Sequence, residues 1–439
     1  MSKIKYFLAV LALLLLSGCF KTSADELYYL PRASEEYFKL QTRIDETLAS
    51  GAEYSPPTGG ENRQSVQLAD IDGDGVKEAV AFFVFQSEDN PLRIHIFRSD
   101  GDDYVLADVI EGVGAGIESI RYIDMDGDGV LELLVGWQMG VALKHMSLYS
   151  ERGFQHIKIA DAEYTSLAIA QLAESNRPNI IVARPRAADA PSAVEAFALM
   201  DDGEVVSAET YLSDGIESIV RITPGRLSDG GYALFIEGRL TEGGLITDVV
   251  CLSGSALLNI THSPAEAPVA RAVSVYSSDI NRDGVTETPI LVPLLQQSET
   301  TYYAIDWYAY TSGGERDLVL STYHNYSDWW YLVLSDEWRG KLTVRREDTV
   351  NGERTLVFSF ADGDEFYTEI HDFLKIYTLS GDNREERARL PGRFRLLEEG
   401  DKIFAAELYD PGPGQPAAPG ETEIRDSFKR LYSDWLAGG

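Results

Sequence analysis

Residues 119–137 read SIRYIDMDGDGVLELLVGW, and this stretch decides the fold. An apolar strand (119–123) leads into an acidic loop, and a second apolar strand (131–137) leaves it. The loop recurs along the chain as DIDGDGVKE (70–78), DMDGDGVLE (124–132) and DINRDGVTE (279–287). Each copy has an acid or amide at positions 1, 3 and 5, Gly at 6, Val at 7 and Glu at 9. The three copies predict a strand–loop–strand unit that repeats.

The spacing of these units predicts the architecture. GIESI occurs at residue 116 and again at 215, and the loops fit the same period of about fifty residues. With this period, units begin near Val66, Ile117, Ser166, Ile216 and Arg271. Each carries hairpin patterns after the loop, which gives four short strands per unit. Four strands at this period are typical of a β-propeller blade.

We therefore predict an all-β fold, a β-propeller of six or seven four-stranded blades, with seven preferred. It covers residues 27–410, and its repeats are clearest over 66–325. Units three and four lack the acids at 171–179 and 223–231, so we expect strands without metal there. Short helices are predicted at each end, over 34–48 and over 421–436, with a Pro/Gly linker at 411–420 before the second.

The acidic loops predict two or three structural Ca²⁺ sites. Alternating carboxylates around a tight glycine turn can wrap a hard cation with oxygen atoms. Arg282 adds an opposing charge and Asn281 removes one, so the third site is expected to be the weakest. The alternative is an Asx-turn hairpin that holds no metal. The predicted ligands are the side chains at positions 1, 3, 5 and 9 and the carbonyl at position 7: Asp70, Asp72, Asp74, Val76, Glu78; Asp124, Asp126, Asp128, Val130, Glu132; Asp279, Asn281, Asp283, Val285 and Glu287.

Acidic loops within blade-like repeats resemble the FG-GAP/VCBS repeats of integrin α-subunits and of many secreted bacterial proteins. The resemblance covers about residues 66–325 and is specific at the three loops. It implies that calcium braces the blades and that the protein binds or adheres to a ligand.

The N-terminus predicts secretion. Two lysines precede an apolar run that ends in Leu16-Ser17-Gly18-Cys19. This ending resembles the lipobox of bacterial lipoproteins, which implies acylation of Cys19 and cleavage before it. Residues 1–18 are then a signal peptide and 19–26 a tether. The alternative is an ordinary secretory peptide. We expect a chain outside the cytoplasmic membrane that contacts the membrane only through this lipid.

Charge and chemistry limit the function. The net charge of −33 disfavours nucleic acid as a partner. Cys251 lies in an apolar strand-like run, where a buried inert thiol is expected. No motif for catalysis stands out, and the six histidines are scattered. Tyr and Trp residues are dense between Tyr302 and Trp338; exposed, they could contact sugar or protein, but core packing is favoured.

We expect a non-catalytic binding or adhesion module, monomeric, with a protein or carbohydrate ligand. One alternative is a polysaccharide hydrolase or lyase with its site in the propeller funnel. Another is a structural scaffold of the cell envelope.

Overall fold

Strands are the main secondary structure of the chain. A computed structural model describes residues 35–86, 88–101, 103–141, 143–187, 190–262, 269–295, 300–347, 352–362 and 369–431. Within these ranges the strands form six antiparallel sheets of four or five strands, which confirms the all-β prediction. The number of propeller blades stays a prediction. The predicted signal peptide, the tether with Cys19, the first residues of the predicted propeller (27–34) and residues 432–436 lie outside the described residues.

The chain divides into two compact units, residues 1–119 with 152–156 and residues 120–151 with 157–439. The first unit contains helix α1 (Glu35–Ala49), which matches the predicted N-terminal helix. Leu40 and Ile44 of α1 are buried in one cluster with Phe97 and Tyr104. The first sheet comprises β1 (Glu53–Tyr54), β2 (Val66–Ala69), β3 (Glu78–Val84), β4 (Leu92–Asp100) and β5 (Asp103–Gly112), with β1 and β2 both paired to β3.

The next three sheets each contain four strands that are consecutive in the chain and adjacent in the sheet. Sheet two comprises β6 (Gly116–Ile123), β7 (Glu132–Gln138), β8 (Lys144–Arg152) and β9 (Gln155–Tyr164). Sheet three comprises β10 (Ser166–Ala170), β11 (Asn179–Arg184), β12 (Ala193–Leu199) and β13 (Val205–Tyr211). Sheet four comprises β14 (Ile216–Arg226), β15 (Tyr232–Leu240), β16 (Leu245–Ser253) and β17 (Ala256–Asn259).

The last two sheets have five strands each. Sheet five is ordered β18 (Thr288–Pro293), β19 (Tyr303–Tyr310), β20 (Arg316–Asn325), β21 (Trp330–Leu334) and β27 (Phe428–Arg430). Sheet six is ordered β22 (Leu342–Arg346), β23 (Glu353–Asp362), β24 (Glu369–Leu379), β26 (Lys402–Leu408) and β25 (Arg393–Glu399). A 3₁₀ turn (Asp336–Trp338) and helices α2 (Arg384–Ala388) and α3 (Glu421–Ser427) complete the elements.

Four of the five predicted unit starts coincide with a first strand. Strands begin at Val66, Ser166 and Ile216, and β6 begins one residue before Ile117. The fifth unit differs. Arg271 forms only an isolated bridge to Leu245, and the next regular strand, β18, follows the third acidic loop.

The C-terminal helix differs from its prediction over 421–436. Helix α3 ends at Ser427, and Phe428 then pairs with Leu332 as part of strand β27. Strand pairing replaces the helix here because it buries Phe428 against the rings of Trp330 and Phe404, at centroid distances of 5.2 and 5.6 Å. The helical spacing of Ile424 and Phe428 therefore reflects burial in two different elements.

Within the second unit, apolar cores lie between sheets that follow one another in the chain. Leu134 and Met146 of sheet two pack with Ile180 of sheet three. Further clusters join sheet three to four, four to five and five to six in the same way. Among the described residues, no helix has both the length and the apolar character needed to cross a bilayer.

Candidate metal-binding loops

The acidic loops occupy equivalent places in their sheets. Residues 70–78 join β2 to β3, and residues 124–132 join β6 to β7. Residues 279–287 precede β18, and the bridge between Ser278 and Glu287 closes that loop as strand pairing would. Each loop therefore leads directly into a strand of its sheet: β3, β7 or β18.

Each loop turns through two residues with left-handed backbone, at positions 4 and 6. Gly73 and Gly75 have φ angles of 72° and 88°, and the second loop uses glycine in the same way. In the third loop Arg282 occupies position 4 with φ of 65°. A side chain is strained in this conformation, so the third loop is held less favourably than the others.

The carboxylates at positions 1, 3 and 5 fold inwards onto the loop backbone. In the first loop Asp70 Oδ2 accepts the Gly75 amide at 3.1 Å, and Asp74 Oδ1 accepts the Val76 amide at 2.7 Å. The second and third loops repeat both hydrogen bonds. The bond from position 5 to the amide of position 7 is an Asx turn, and the bond from position 1 to the amide of position 6 spans the whole turn. Together they gather negative side chains on one side of the turn.

Glu at position 9 has a backbone role in every acidic loop. Its Oε2 accepts the amide of position 2, at 2.8 Å from Glu78 to Ile71 and at 3.0 Å in the other two loops. In unit three, which lacks the acids, Asn179 Oδ1 makes the equivalent bond to the Leu172 amide at 3.3 Å. The contact therefore belongs to the fold, with or without carboxylates that could hold metal.

The first two loops bring carboxylates close enough to share a cation. Oxygen atoms of Asp70, Asp72 and Glu78 lie within 4.8 Å of one another, as do those of Asp124, Asp126 and Asp128. Asp70 Oδ1 is buried and has no hydrogen-bond partner among the described residues. A buried, unpaired carboxylate oxygen is costly unless a cation or water satisfies it. The donor set in loops one and two therefore fits a hard cation such as Ca²⁺.

The third loop lacks a comparable trio within the described residues, because Asn281 replaces an acid and donates to Asp283 at 2.8 Å. Its Glu287 is fully buried, and Oε1 of that residue has no partner among the described residues. The remaining predicted ligands, the carbonyls of Val76, Val130 and Val285, stay predictions.

Burial and the neighbouring aspartates both raise the pKa of the loop glutamates. Burial raises the pKa of Glu132 to about 7, and that of Glu287 likewise, and nearby aspartates add to the effect. In the first loop Arg98 Nη1 lies 3.2 Å from Asp72 Oδ2 and offsets part of the negative charge. A divalent cation would stabilise the ionised form of these acids.

Sequence reasoning missed a buried polar centre in sheet four. Asp248 is fully buried and accepts the Ser213 amide at 2.8 Å, the Ser213 hydroxyl at 2.7 Å and Asn259 Nδ2 at 3.0 Å. His262 Nε2 lies 3.4 Å from Asp248 and 3.3 Å from the Ser213 hydroxyl. The hairpin pattern around residue 254 could have shown that 248 and 259–262 lie near each other.

This trio has the residue types of a catalytic triad but a different order. In a triad the histidine stands between serine and acid, whereas here Ser213 donates directly to Asp248. Burial opposes ionisation of Asp248, but hydrogen bonds from His262, Asn259 and Ser213 outweigh it and lower the pKa of the carboxyl. These hydrogen bonds therefore have a structural role: they hold the segment at Ser213 and the residues after β17 against strand β16.

The other predicted features lie in the core. Cys251 is buried and unpaired, as expected. Most of the dense aromatic segment is buried, including Trp307, Trp330 and Trp338, which confirms core packing as its main role. Trp329 differs, since 37% of its surface is exposed.

Comparison with known proteins adds no family to these observations. No protein-family model matches the chain. No curated protein matches it either.

Proposed function

We propose that this protein is a calcium-braced, non-catalytic binding module, built as a β-propeller and tethered outside the cytoplasmic membrane by a lipid on Cys19. The observation that carries the proposal is the turn geometry that three acidic loops share at equivalent places in their sheets. Two of them gather three carboxylates within reach of one ion. Calcium in such a loop would fix the strand that follows it.

The packing order supports a propeller. Apolar clusters join sheet two to three, three to four, four to five and five to six, so each of sheets two to five packs against its successor. Blades of a propeller meet in this way, face to face around an axis. Six sheets favour the lower end of the predicted six to seven blades.

The Ser–His–Asp cluster around Asp248 gives no support for catalysis. The Ser213 hydroxyl donates its hydrogen bond to the Asp248 carboxylate, so the arrangement does not activate a nucleophile. A structural scaffold of the cell envelope would need the same calcium-braced fold. The binding module differs from it only in having a ligand.

Calcium titration of the full chain after chelator treatment tests the bracing sites. Calorimetry should count two to three sites for the original sequence and one fewer for Asp126→Asn. Asp401→Asn, which changes an exposed acid in the turn between β25 and β26, is the matched control. A heat of binding that is absent, or that Asp126→Asn leaves unchanged, would rule out calcium in these loops.

Fractionation of cells tests the tether. The original chain should sediment with membranes, and Cys19→Ser should release it to the soluble fraction. Membrane association of the Cys19→Ser variant equal to that of the original would contradict lipidation.

A further inference from the structure

A cavity of about 90 Å³ lies in the second unit, between the end of β18 in sheet five and the 3₁₀ turn that leads into sheet six. An engineered apolar cavity of about 150 Å³ can hold benzene, so by proportion this one holds about four non-hydrogen atoms. Its size limits a ligand to a very small molecule or to the end of one side chain. The residues that line it lie outside the acidic loops.

Most of the lining is apolar. Side chains from both sheets and from the 3₁₀ turn form its walls: Val292, Leu294, Ala304, Leu334, Trp338 and Leu342. Leu295 and Arg339 also line the cavity and are exposed, so the cavity opens to solvent beside them. A short apolar chain that enters it leaves water, and this transfer favours binding in proportion to the area buried.

One carboxylate lies among these apolar walls. Asp306 of β19 lines the cavity and is only 7% exposed. Its Oδ1 accepts the Ser321 hydroxyl at 2.5 Å, whereas Oδ2 has no hydrogen-bond partner among the described residues. A buried carboxylate with one oxygen unpaired is costly unless a cation or water pairs with it. The cavity therefore combines a space for an apolar chain with an acceptor for a positive charge.

Arg339 supplies the positive charge of the lining, and it is already shared with a second acid. Its Nη2 donates to Ser321 Oγ at 3.0 Å and to Asp336 Oδ1 at 3.2 Å. Asp306 and Asp336 together outweigh this guanidinium by one negative charge. A local excess of negative charge attracts a cation and disfavours a carboxylate as ligand.

Ser335 supplies a further hydrogen-bond acceptor. It lines the cavity at the start of the 3₁₀ turn, and its hydroxyl makes no capping hydrogen bond to that turn. An ammonium group has three N–H donors and no acceptor. Asp306 Oδ2 and Ser335 Oγ could each accept one of these donors, and water at the open side could accept the third. A neutral alcohol would leave the charge of Asp306 without a counter-charge.

We propose that this cavity binds a short primary alkylammonium group, a chain of about three carbon atoms that ends in a charged amine. The carbon atoms would pack on the apolar walls, and the ammonium would pair with Asp306 through a charge-assisted hydrogen bond. Both free small amines and the end of a lysine side chain on a partner protein have this chemistry. The assignment rests on the proposed binding function and gives it a ligand chemistry.

Titration of the full chain in calcium-containing buffer with n-propylamine, 1-propanol and methylamine tests the assignment. Saturation-transfer NMR on the methyl signals of the ligands detects weak binding by such small molecules. n-Propylamine should bind at least tenfold more tightly than 1-propanol, which has the same shape without the charge. It should also bind at least tenfold more tightly than methylamine, which has the charge without the apolar chain.

Nα-acetyl-lysine methylamide in the same assay distinguishes the two sources of the ligand. If it binds as tightly as n-propylamine, the cavity takes a lysine side chain. If its peptide groups weaken binding at least tenfold, the cavity takes a free amine.

Two variants change the charge at the cavity in opposite directions. Asp306→Asn keeps an acceptor for Ser321 and should weaken n-propylamine binding at least tenfold. Arg339→Gln removes the opposing cation and should strengthen it. Asp317→Asn, which changes an exposed acid on β20 outside the lining, is the matched control and should leave binding unchanged.

The outcomes that contradict the assignment are distinct. Equal affinity for 1-propanol would overturn the role of the carboxylate, and equal affinity for methylamine would overturn the role of the apolar walls. Failure of n-propylamine to bind, or binding that Asp306→Asn does not weaken, would overturn the site itself. If Asp306→Asn does not fold, Arg339→Gln at the exposed side decides, and binding that it does not strengthen overturns the site.

Calcium titration of the same sample separates failure of this site from failure of the proposed bracing. The two measurements are independent because the acidic loops and the cavity share no residue. A chain that binds calcium but not n-propylamine would keep the bracing and lose this ligand chemistry.

Discussion

At the scale of single residues, position 4 of the acidic loops distinguishes the third loop from the other two. Gly73 and Gly127 adopt positive φ without a side chain, whereas Arg282 adopts it with one. Its guanidinium also adds positive charge beside the carboxylates of the loop. Backbone strain and charge therefore both disfavour a cation in the third loop.

Arg282→Gly should raise the stability of the protein by up to about 1 kcal/mol, because it removes the left-handed strain at an exposed position. It should also strengthen calcium binding at this loop. Chemical denaturation in chelator isolates the first effect, and Arg316→Gly, in regular strand β20, is the control expected to lose stability. If Arg282→Gly lowered the free energy of unfolding of the protein in chelator, the strain argument would be wrong.

His95 on β4 is a buried histidine in an apolar environment. Its ring lies 5.0 Å from that of Phe83 and 6.0 Å from that of Phe97, and neither ring nitrogen has a hydrogen-bond partner among the described residues. Burial, with help from the charge of Arg93, lowers the pKa of His95 to about 4. The histidine is therefore neutral in the folded protein at neutral pH.

The neutral form of His95 should contribute to the free energy of unfolding, and this contribution should be fully present above about pH 6.5. It should fall as the pH drops from 6.5 towards 4, because the unfolded histidine takes up a proton in this range and the folded one does not. The loss should reach a few kcal/mol, on the order of 3. His95→Leu should remove this part of the pH dependence.

Denaturation of both proteins between pH 7 and 4 measures the difference, with His371→Gln as control. At pH 7 His95→Leu should be at least as stable as the original, since no unpaired polar atom is then buried. Parallel stability curves for the original and His95→Leu would show that burial of His95 does not lower its pKa.

At the scale of elements, the short strand β27 closes one side of sheet five. Phe428 is its buried residue, and Ile424 of α3 is buried in the same core. The chain thus returns about one hundred residues later to pair with β21. This return explains why an apolar pattern at helical spacing ends in a strand.

Phe428→Ala should destabilise the protein by about 3–5 kcal/mol, because it opens a cavity beside Trp330 and Phe404. Lys429→Ala on the exposed side of the same strand should change stability by less than about 0.5 kcal/mol. Urea unfolding followed by tryptophan fluorescence compares them. Equal stability of the two variants would mean that β27 does not pack as described.

The side chain at position 9 of each loop makes a backbone contact that the sequence did not predict. Glu78, Glu132 and Glu287 each bind a backbone amide, and Asn179 does so where the acids are absent. The sequence pattern predicted Glu as a metal ligand, and this contact was not part of it. Its reason is local, since the amide of position 2 is buried and needs an acceptor.

At the scale of the whole molecule, the sequence predicted the all-β class and four unit starts. It could do so because loop, flanking strands and hairpins repeat with one period. The prediction failed for the fifth unit, at Arg271. No regular strand begins there, and the Arg271 side chain is buried instead. Its Nη1 donates to Thr247 at 2.8 Å and its Nε to the Val275 carbonyl at 2.6 Å. Single side-chain contacts of this kind leave no periodic signal in the sequence.

The candidate sites divide in the same way. The acidic loops are local in sequence, so spacing alone brought out Asp124, Asp126 and Asp128. The polar centre at Asp248 also includes Ser213, which lies 35 residues away along the chain. Strand register decides which side chains meet there, and register follows only once the sheets have formed.

The central claim is that calcium in the acidic loops braces this fold, and a thermal melt in calcium and in chelator tests it most directly. The midpoint should be several degrees higher in about millimolar calcium, since a ligand that binds only the folded state stabilises it. The same concentration of magnesium should raise the midpoint less. Asp70→Asn combined with Asp126→Asn should remove most of the calcium effect, whereas Asp401→Asn, in the turn between β25 and β26, should keep it. An identical midpoint for the original chain in calcium and in chelator would contradict the account.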